Sequence, residues 1–277
     1  MKRILLLLTL ILITALTSVI LTVYFIDTSE TPSSYDVYNV ESQILSEKRE
    51  IIVSKPENYQ ELNSEKYPVV YVFGGNSLTY SIAKDVKLLR RTENMESTIV
   101  VGIPNSSQKT RQRDLTPPFM KQDIDEANSP LGKANQYLNF VETEVIPFIE
   151  KKYRTNNIKI AVGHSREGLM VLYSLLDKPK LFTGRLVLSP ALWREDNLFV
   201  NKFEKYLLKQ DAIESKLFLS MGDREVEKMK KAFDLTVEIL KEDSSSIEWK
   251  YMYTKGAIHS NNALLSAPVG LNWMLKN

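Results

Sequence analysis

Cysteine is absent from the 277-residue chain, and histidine occurs only twice, as His164 and His259. The lack of cysteine excludes disulfides, thiol catalysis and thiolate metal sites. With two imidazoles in the whole chain, a histidine-rich metal site is not expected, and we predict neither a metal nor a cofactor. An excess of either charge is also missing, since 36 basic side chains face 34 acidic ones. This balance gives no reason to expect a nucleic-acid partner.

Charged residues are missing from the run Ile4–Ile26, which follows Lys2-Arg3. At about 1.5 Å per residue, a helix of this length crosses a bilayer. We expect residues 1–26 to be an uncleaved membrane anchor that leaves the domain extracytoplasmic, because the basic residues precede the span. The alternative is a cleaved signal peptide and a secreted protein. The polar residues 27–34 predict a linker, and residues 35–277 are expected to form one domain.

Buried strands alternate with amphipathic helices along that domain. Tyr67–Phe73 and Thr98–Ile103 are continuous apolar runs typical of buried strands, and Leu78–Arg91 between them has helical spacing. The alternation continues to the C-terminus without an internal repeat. It predicts a doubly wound, mostly parallel α/β sheet with helices on both faces.

Two segments depart from this regular pattern. Residues 104–131 have no hydrophobic period and are predicted to form a long loop, in which Lys109–Arg113 is a basic stretch. Lys133–Tyr153 has helical spacing with a proline inside it. We therefore predict one long helix that is kinked at Pro147.

Ser165 is a candidate nucleophile because of its setting. An apolar run ends at Val162, and a helical pattern begins at Leu169, so the serine lies in a tight strand-to-helix turn. Such a turn lifts the hydroxyl above the sheet, and the backbone N–H of Arg166 can then receive an oxyanion. The alternative is an ordinary turn without catalytic meaning.

Glu167 stands where the motif G-x-S-x-G usually has its second glycine. We expect this carboxylate to be ionised at the edge of the site, paired with Arg166 or with an arginine of the 109–113 stretch. A carboxylate near the first turn of a helix is favoured by the helix dipole by roughly 0.3–1 kcal/mol. The residue also keeps open the alternative of an inactive hydrolase that serves as a binding module.

A serine nucleophile needs a base and a carboxylate that orients it. His259 is predicted in a loop directly after the last strand, and Asp223 and Glu225 in a loop after the strand before it. These loops and Ser165 all follow strands, so the side chains should meet at one edge of the sheet. The order serine, acid, histidine is that of α/β-hydrolases. The side chain of His164 should point away from the hydroxyl and have a structural role.

From roughly Val40 to its C-terminus, the chain resembles a family of esterases in the α/β-hydrolase superfamily. This family includes esterase-D-like enzymes and siderophore trilactone esterases. The resemblance rests on several motifs: Tyr67–Gly75, Val101–Asn105, Arg113–Pro117, Phe140–Ile149, Gly163–Ser165, Leu188–Trp193, His259-Ser260 and Gly270–Trp273.

The resemblance implies an α/β-hydrolase fold and a serine carboxylic-ester hydrolase that acts on a small-molecule ester. It implies Ser165 as the nucleophile and His259 as the base. The family pattern Gly-x-x-Glu matches the residues from Gly222 to Glu225, which favours Glu225 as the acid. Asp223 would then cap the helix that follows.

The oxyanion hole is predicted from the backbone N–H groups of Arg166 and of the Gly75-Asn76 region. Two glycines, Gly74 and Gly75, follow the predicted strand and allow close backbone approach, although a plain turn is the alternative. The resembling family usually has Asp-Gly at these two positions. An acyltransferase, with an alcohol in place of water, is an alternative activity. The sequence does not indicate an oligomeric state.

Overall fold

The structure is a computed structural model that describes residues 14–15, 17–18, 35–59, 64–122, 130–207, 214–242 and 247–276. The chain divides into two compact units, Met1–Asp36 and Val37–Asn277. Of the six residues described in the first unit, residues 14–15 and 17–18 are helical, and residues 35–36 lie at the start of the sheet.

No helix among the described residues is both long enough and apolar enough to cross a membrane. This finding contradicts the predicted transmembrane helix and the predicted membrane attachment through residues 4–26. Apart from 14–15 and 17–18, that segment lies outside the described residues. Secretion after signal cleavage also concerns these residues and stays a prediction.

Within the described residues, eight strands form a single sheet in the spatial order β1-β2-β4-β3-β5-β6-β7-β8. The strands are β1 (Asp36–Ser42), β2 (Glu47–Ser54), β3 (Tyr67–Phe73), β4 (Ile99–Ile103), β5 (Thr155–His164), β6 (Gly184–Leu188), β7 (Lys216–Gly222) and β8 (Glu248–Thr254). β2 is antiparallel to β4. The pairs from β4 through β3 and β5 to β8 are all parallel, which confirms the mostly parallel sheet.

Helices connect these strands in the described part of the chain. They are α1 (Asn76–Thr92), α2 (Gln108–Leu115), α3 (Ala134–Phe140), α4 (Ile146–Lys152), α5 (Arg166–Asp177), α6 (Arg194–Leu207), α7 (Glu227–Glu242) and α8 (His259–Leu275). Both faces of the sheet are covered, as β3 illustrates. Tyr71 and Phe73 belong to the main core cluster, whereas Val70 and Val72 are equally buried but alternate to the opposite face.

The predicted loop over residues 104–131 is wrong in its first part, where α2 forms. The helix has a capping box at its N-terminus. The Ser107 side chain accepts the N–H of Thr110 at 3.2 Å, and the Thr110 hydroxyl oxygen accepts the N–H of Ser107 at 2.9 Å. Such caps stabilise a helix by about 1 kcal/mol. Residues 123–129 of the predicted loop lie outside the described residues.

A buried ion-pair cluster fixes the end of α2 to β2. Asp114 accepts hydrogen bonds from Arg49 of β2 and from Arg113, and the side chains of Asp114 and Arg49 have no exposed surface. Glu47 lies 2.5 Å from the Arg113 guanidinium. α2 is thus anchored by charge, and it carries Arg111 to the edge of the candidate site.

The predicted long helix over residues 133–153 is present as one continuous helical run from Ala134 to Lys152. Inside it, a π-helical turn, Val141–Val145, lies between α3 and α4, and the N–H of Ile146 donates to the carbonyl of Val141. The sequence did not predict this turn. Pro147 directly follows it, and a π-bulge is a place where the α-helical hydrogen-bond pattern is already interrupted.

Candidate active site

Ser165 forms a sharp turn between β5 and α5. Its φ and ψ angles are 61° and −116°, a backbone conformation that residues other than glycine rarely adopt. The main chain holds this turn firmly. The N–H of Ser165 donates to the carbonyl of Leu188, and its own carbonyl accepts the N–H groups of Leu169 and Ala191, each at 3.0 Å.

Two glycines allow α5 to pack closely against the sheet. A Cβ atom added at Gly163 would lie 2.4 Å from the carbonyl oxygen of Glu167, which is closer than any real contact. A Cβ atom at Gly168 would lie 3.1 Å from the carbonyl oxygens of Gly163 and Leu188. The crossing therefore depends on glycine at positions 163 and 168. Position 167 is left free to carry a side chain.

His259 faces Ser165, with 3.0 Å between its Nε2 atom and the Ser165 Oγ atom. Its Nδ1 atom lies 2.8 Å from Oε2 of Glu225. A carboxylate can only accept, so Nδ1 carries the hydrogen and Nε2 is free to accept the hydroxyl proton. The predicted loop position is wrong, because His259 is the first residue of α8.

Glu225, rather than Asp223, lies against His259. The carboxylate of Glu225 is buried, and its Oε1 atom also accepts the N–H of Gly222 at 2.8 Å. Burial raises the pKa of Glu225, but hydrogen bonds from His259, Ser189 and Gly222 outweigh it, and the pKa lies below its ordinary value. The group is therefore ionised at neutral pH.

Asp223 shapes the loop that leads to the base. Its Oδ1 atom accepts the N–H of Gly256 at 2.7 Å, and the following helix begins only at Glu227, so the predicted helix cap is wrong. The N–H of Arg224 donates to the carbonyl of Ala257 at 3.0 Å. These bonds hold the loop after β7 to the loop after β8.

His164 packs directly behind His259. The two rings have centroids 4.6 Å apart, and the Nε2 atom of His164 lies 2.8 Å from the backbone carbonyl of His259. A carbonyl can only accept, so His164 donates from Nε2. Burial and then the charge of His259 lower the pKa of His164, which keeps this ring neutral. The ring is thereby tied to the backbone of His259, and its structural role stays a prediction.

Glu167 is 5% exposed and lies in a bidentate ion pair with Arg111. The two contacts are 2.6 Å from Nε and 2.7 Å from Nη2 of the arginine. The expected pairing with the 109–113 stretch is therefore present. Arg166 instead donates to the Thr116 hydroxyl at 3.1 Å. Arg111 and Arg113 are therefore paired with carboxylates, and Lys109 is the exposed basic residue of the stretch.

The predicted oxyanion-hole residues lie at the carboxyl ends of adjacent strands. Gly75 precedes the first residue of α1, Asn76, directly after β3, and Arg166 begins α5 directly after β5. β3 and β5 are neighbours in the sheet. Gly74, with a φ of 119°, approaches Glu167 so closely that a Cβ atom on it would lie 3.1 Å from the Glu167 Cγ atom. The loop after β3 therefore borders the Ser165 turn.

Two residues near Glu225 were not predicted from the sequence. Ser189, directly after β6, lies 2.5 Å from Oε1 of Glu225, and Asn262 donates to Ser189 at 2.8 Å. The signal for Asn262 was its spacing of three residues from His259, which places both side chains on one helical face. Among the described residues, no group of His, Asp and Glu side chains is arranged to hold a metal ion.

Solved structures share this architecture. The IroE-like serine hydrolase from Shewanella oneidensis is 26% identical, with a TM-score of 0.78 over 87% of this chain and 80% of that one. The BES protein from Bacillus cereus is 24% identical, with a TM-score of 0.76 over 88% and 96% of the two chains. These likenesses and the sheet order define an α/β-hydrolase fold.

The family is equally clear. Residues 42–264 match the model of the Esterase family, described as "Putative esterase", so the chain belongs to this family. Ferri-bacillibactin esterase BesA from Bacillus subtilis (strain 168) is 26% identical over 217 residues, which are 70% of this chain and 74% of BesA. The chain is therefore an esterase of the α/β-hydrolase type, as the sequence motifs implied.

Proposed function

We propose that this esterase cleaves carboxylic esters through a covalent acyl-enzyme on Ser165. The observation that carries the proposal is the unbroken line of contacts through His259. Its two ring nitrogens lie 3.0 Å from the Ser165 hydroxyl and 2.8 Å from the Glu225 carboxylate. This is the arrangement in which a serine can be activated by a base.

In the first half-reaction, Nε2 of His259 takes the hydroxyl proton while Oγ of Ser165 forms a bond to the ester carbonyl carbon. The carbonyl oxygen becomes an oxyanion, and Glu225 stabilises the imidazolium. The imidazolium then gives its proton to the leaving oxygen as the carbon–oxygen bond breaks. The alcohol departs, and the acyl group stays on Ser165.

In the second half-reaction, water takes the place of the alcohol. His259 removes a proton from the water, whose oxygen bonds to the acyl carbon. The bond to Oγ then breaks, Ser165 regains its proton from His259, and the acid is released. The backbone N–H groups of Arg166 and of the Gly75-Asn76 region are the proposed donors to both oxyanions. Each such donor contributes roughly 3–4 kcal/mol to transition-state stabilisation.

A siderophore ester is the more specific substrate that the relatives suggest. The observation in its favour is the likeness to a protein named ferri-bacillibactin esterase. The basic stretch 109–113 does not add support, because Arg111 and Arg113 are occupied by carboxylates. Release of hydroxy-acid fragments from ferri-bacillibactin, measured by mass spectrometry against p-nitrophenyl butyrate as a simple ester, tests this substrate.

Labelling with a fluorophosphonate probe tests the mechanism. Wild-type protein should become labelled and should hydrolyse p-nitrophenyl esters, whereas Ser165→Ala should do neither. Ser260→Ala is a matched control, because this exposed hydroxyl is next to the base in sequence. Equal labelling of Ser165→Ala and wild type, or an inert wild type, would contradict the proposal. Formation of new esters when alcohols are added would indicate the acyltransferase alternative.

A further inference from the structure

A chain of buried hydrogen bonds runs from α8 to the carboxylate of Glu225. Its members, Ser189, Ser220, Asn262 and Ser266, have no exposed surface. We propose that Ser189 and Asn262 are positioning residues that hold the acid in line with its base. This inference rests on the function proposed above for Glu225 and His259.

The direction of the bond at the acid follows from the chemistry of its partners. A carboxylate oxygen that accepts from the Gly222 N–H can only accept again, so the Ser189 hydroxyl must donate to Oε1 of Glu225. A hydroxyl has a single hydrogen, which is thereby used. The Ser189 oxygen can then only accept from its other neighbour.

That other neighbour is the Asn262 side chain. Because Ser189 can only accept from it, the amide nitrogen must face Ser189, which settles the orientation of the amide group. Nδ2 lies 2.8 Å from the Ser189 oxygen and 3.0 Å from the Ser220 oxygen. Both hydrogens of the amide are therefore donated, one to each serine.

The remaining bonds continue in the same sense. The hydroxyl of Ser266 donates to the backbone carbonyl of Asn262 at 2.8 Å, so its oxygen accepts from Ser220 at 2.7 Å. Each hydrogen in the network thus has one possible direction. Bonds that follow one another in this way polarise and strengthen each other inside a protein.

The network gives Glu225 neutral donors in place of a cation. Its Oε1 atom is held by a hydroxyl and an amide, which leaves Oε2 directed at His259. His259, Asn262 and Ser266 lie at spacings of three and four residues on α8. One helix therefore presents both the base and the donors that align its acid.

Two variants of Ser189 distinguish the effect of losing the hydroxyl from the effect of the strained backbone. Ser189 has a φ of 44°, which glycine adopts freely and alanine does not. Ser189→Ala and Ser189→Gly both lose the hydroxyl, but only the alanine variant keeps the strain. We expect kcat for p-nitrophenyl butyrate to fall about 10- to 100-fold in both, with KM little changed, as for loss of a hydrogen bond to a charged group.

A buried hydroxyl away from the site supplies the control. Thr236 on α7 is fully buried, and its hydroxyl donates only to the carbonyl of Ala232 in its own helix. Thr236→Val should leave kcat near the wild-type value. Loss of activity in Ser189→Ala but not in Ser189→Gly would overturn the inference, because the effect would then come from the backbone.

Titration of His259 by NMR needs no turnover. The chain has two histidines, so ¹⁵N-histidine labelling gives two ring systems, and His164→Asn assigns them. When Glu225 loses the Ser189 donor, more of its negative charge stays on Oε2, next to His259. The pH at the midpoint of the His259 titration should therefore rise in both Ser189 variants. Asn262→Asp should raise it further, because the new carboxylate draws the Ser189 hydrogen away from Glu225 and also adds a second negative charge near the imidazole. An unchanged midpoint in all three variants would overturn the inference. A Ser165→Ala protein that still hydrolyses esters would contradict only the proposed function.

Discussion

Two buried glutamates, Glu225 and Glu167, lie near the Ser165 turn, and they are stabilised in different ways. Glu225 accepts hydrogen bonds from an imidazole, a hydroxyl and a backbone amide, with no arginine or lysine among these partners. Glu167 is held by the guanidinium of Arg111 in a bidentate pair. In the mechanism proposed above, Glu225 stabilises a positive imidazolium, and its neutral donors leave its charge available for that. Glu167 has no role in that mechanism, and its charge is matched by a fixed cation.

The largest effect is expected from Glu225→Gln. The amide cannot stabilise the imidazolium and favours the wrong tautomer of His259, so kcat should fall on the order of 10³- to 10⁴-fold. Asp223→Asn is the matched control, since an asparagine oxygen can still accept the Gly256 N–H. Steady-state hydrolysis of p-nitrophenyl butyrate checks both. A greater loss in Asp223→Asn would reverse the assignment of the acid.

The next effect concerns stability. Arg111→Met leaves the Glu167 carboxylate buried without its cation and should lower the free energy of unfolding by about 2–4 kcal/mol, a little less than for a fully buried pair because Arg111 is partly exposed. Urea unfolding measures the change. The double variant Arg111→Met, Glu167→Gln should regain most of the loss. If both variants unfold at the same urea concentration, the pair does not act as described.

Glu167→Gly should have a smaller effect on catalysis. The helix crossing already depends on Gly163 and Gly168, so the elbow gains little from a third glycine. We expect hydrolysis of simple esters within about tenfold of the wild-type rate, a span of ~1.4 kcal/mol in barrier. An inert wild type and an active Glu167→Gly would instead identify a disabled hydrolase.

The smallest effect is a pH dependence of stability that arises from His164, whose pKa is affected by the charges of both glutamates. Burial and the charge of His259 lower the pKa of His164, against its bond to the His259 carbonyl and the charges of Glu167 and Glu225. Below the ordinary pKa of about 6.5, His164 takes up a proton in the unfolded chain but resists it in the folded protein. The free energy of unfolding therefore decreases as the pH decreases, by at most ~1.4 kcal/mol per pH unit. His164→Asn should lose less stability between pH 7.5 and 5.5 in urea unfolding. Equal losses would show that His164 does not contribute.

Elements that are defined by apolar runs were predictable from the sequence. The strand over Tyr67–Phe73 was predicted with the bounds that β3 has, because every residue in it is buried. α2 was not predicted, since its segment is held by a capping box and by the buried pair of Asp114 with Arg49, and neither produces a hydrophobic period. Ion pairs between residues that are far apart in the sequence cannot be detected from hydrophobic periodicity.

The candidate site shows the same division. Chain order and strand ends predicted that Ser165, His259 and a carboxylate, either Asp223 or Glu225, meet at one edge of the sheet, because parallel strands end there. The resemblance to the esterase family then favoured Glu225. The sequence predicted that Glu167 pairs either with Arg166 or with an arginine of the 109–113 stretch. It could not decide between them, because the answer depends on how α2 packs against the site. Ser189 was not predicted, because a serine after a strand is common and its partner, Glu225, lies 36 residues away in the sequence.

The way in which the chain clamps position 165 has a practical consequence. Three main-chain hydrogen bonds hold the turn, and none of them uses the serine side chain. An alanine there makes the same main-chain hydrogen bonds and therefore should leave the turn in its native shape. Ser165→Ala would then act as a trap that retains an intact ester. Density for the captured molecule in a crystal would show directly which acyl and alcohol groups this esterase selects.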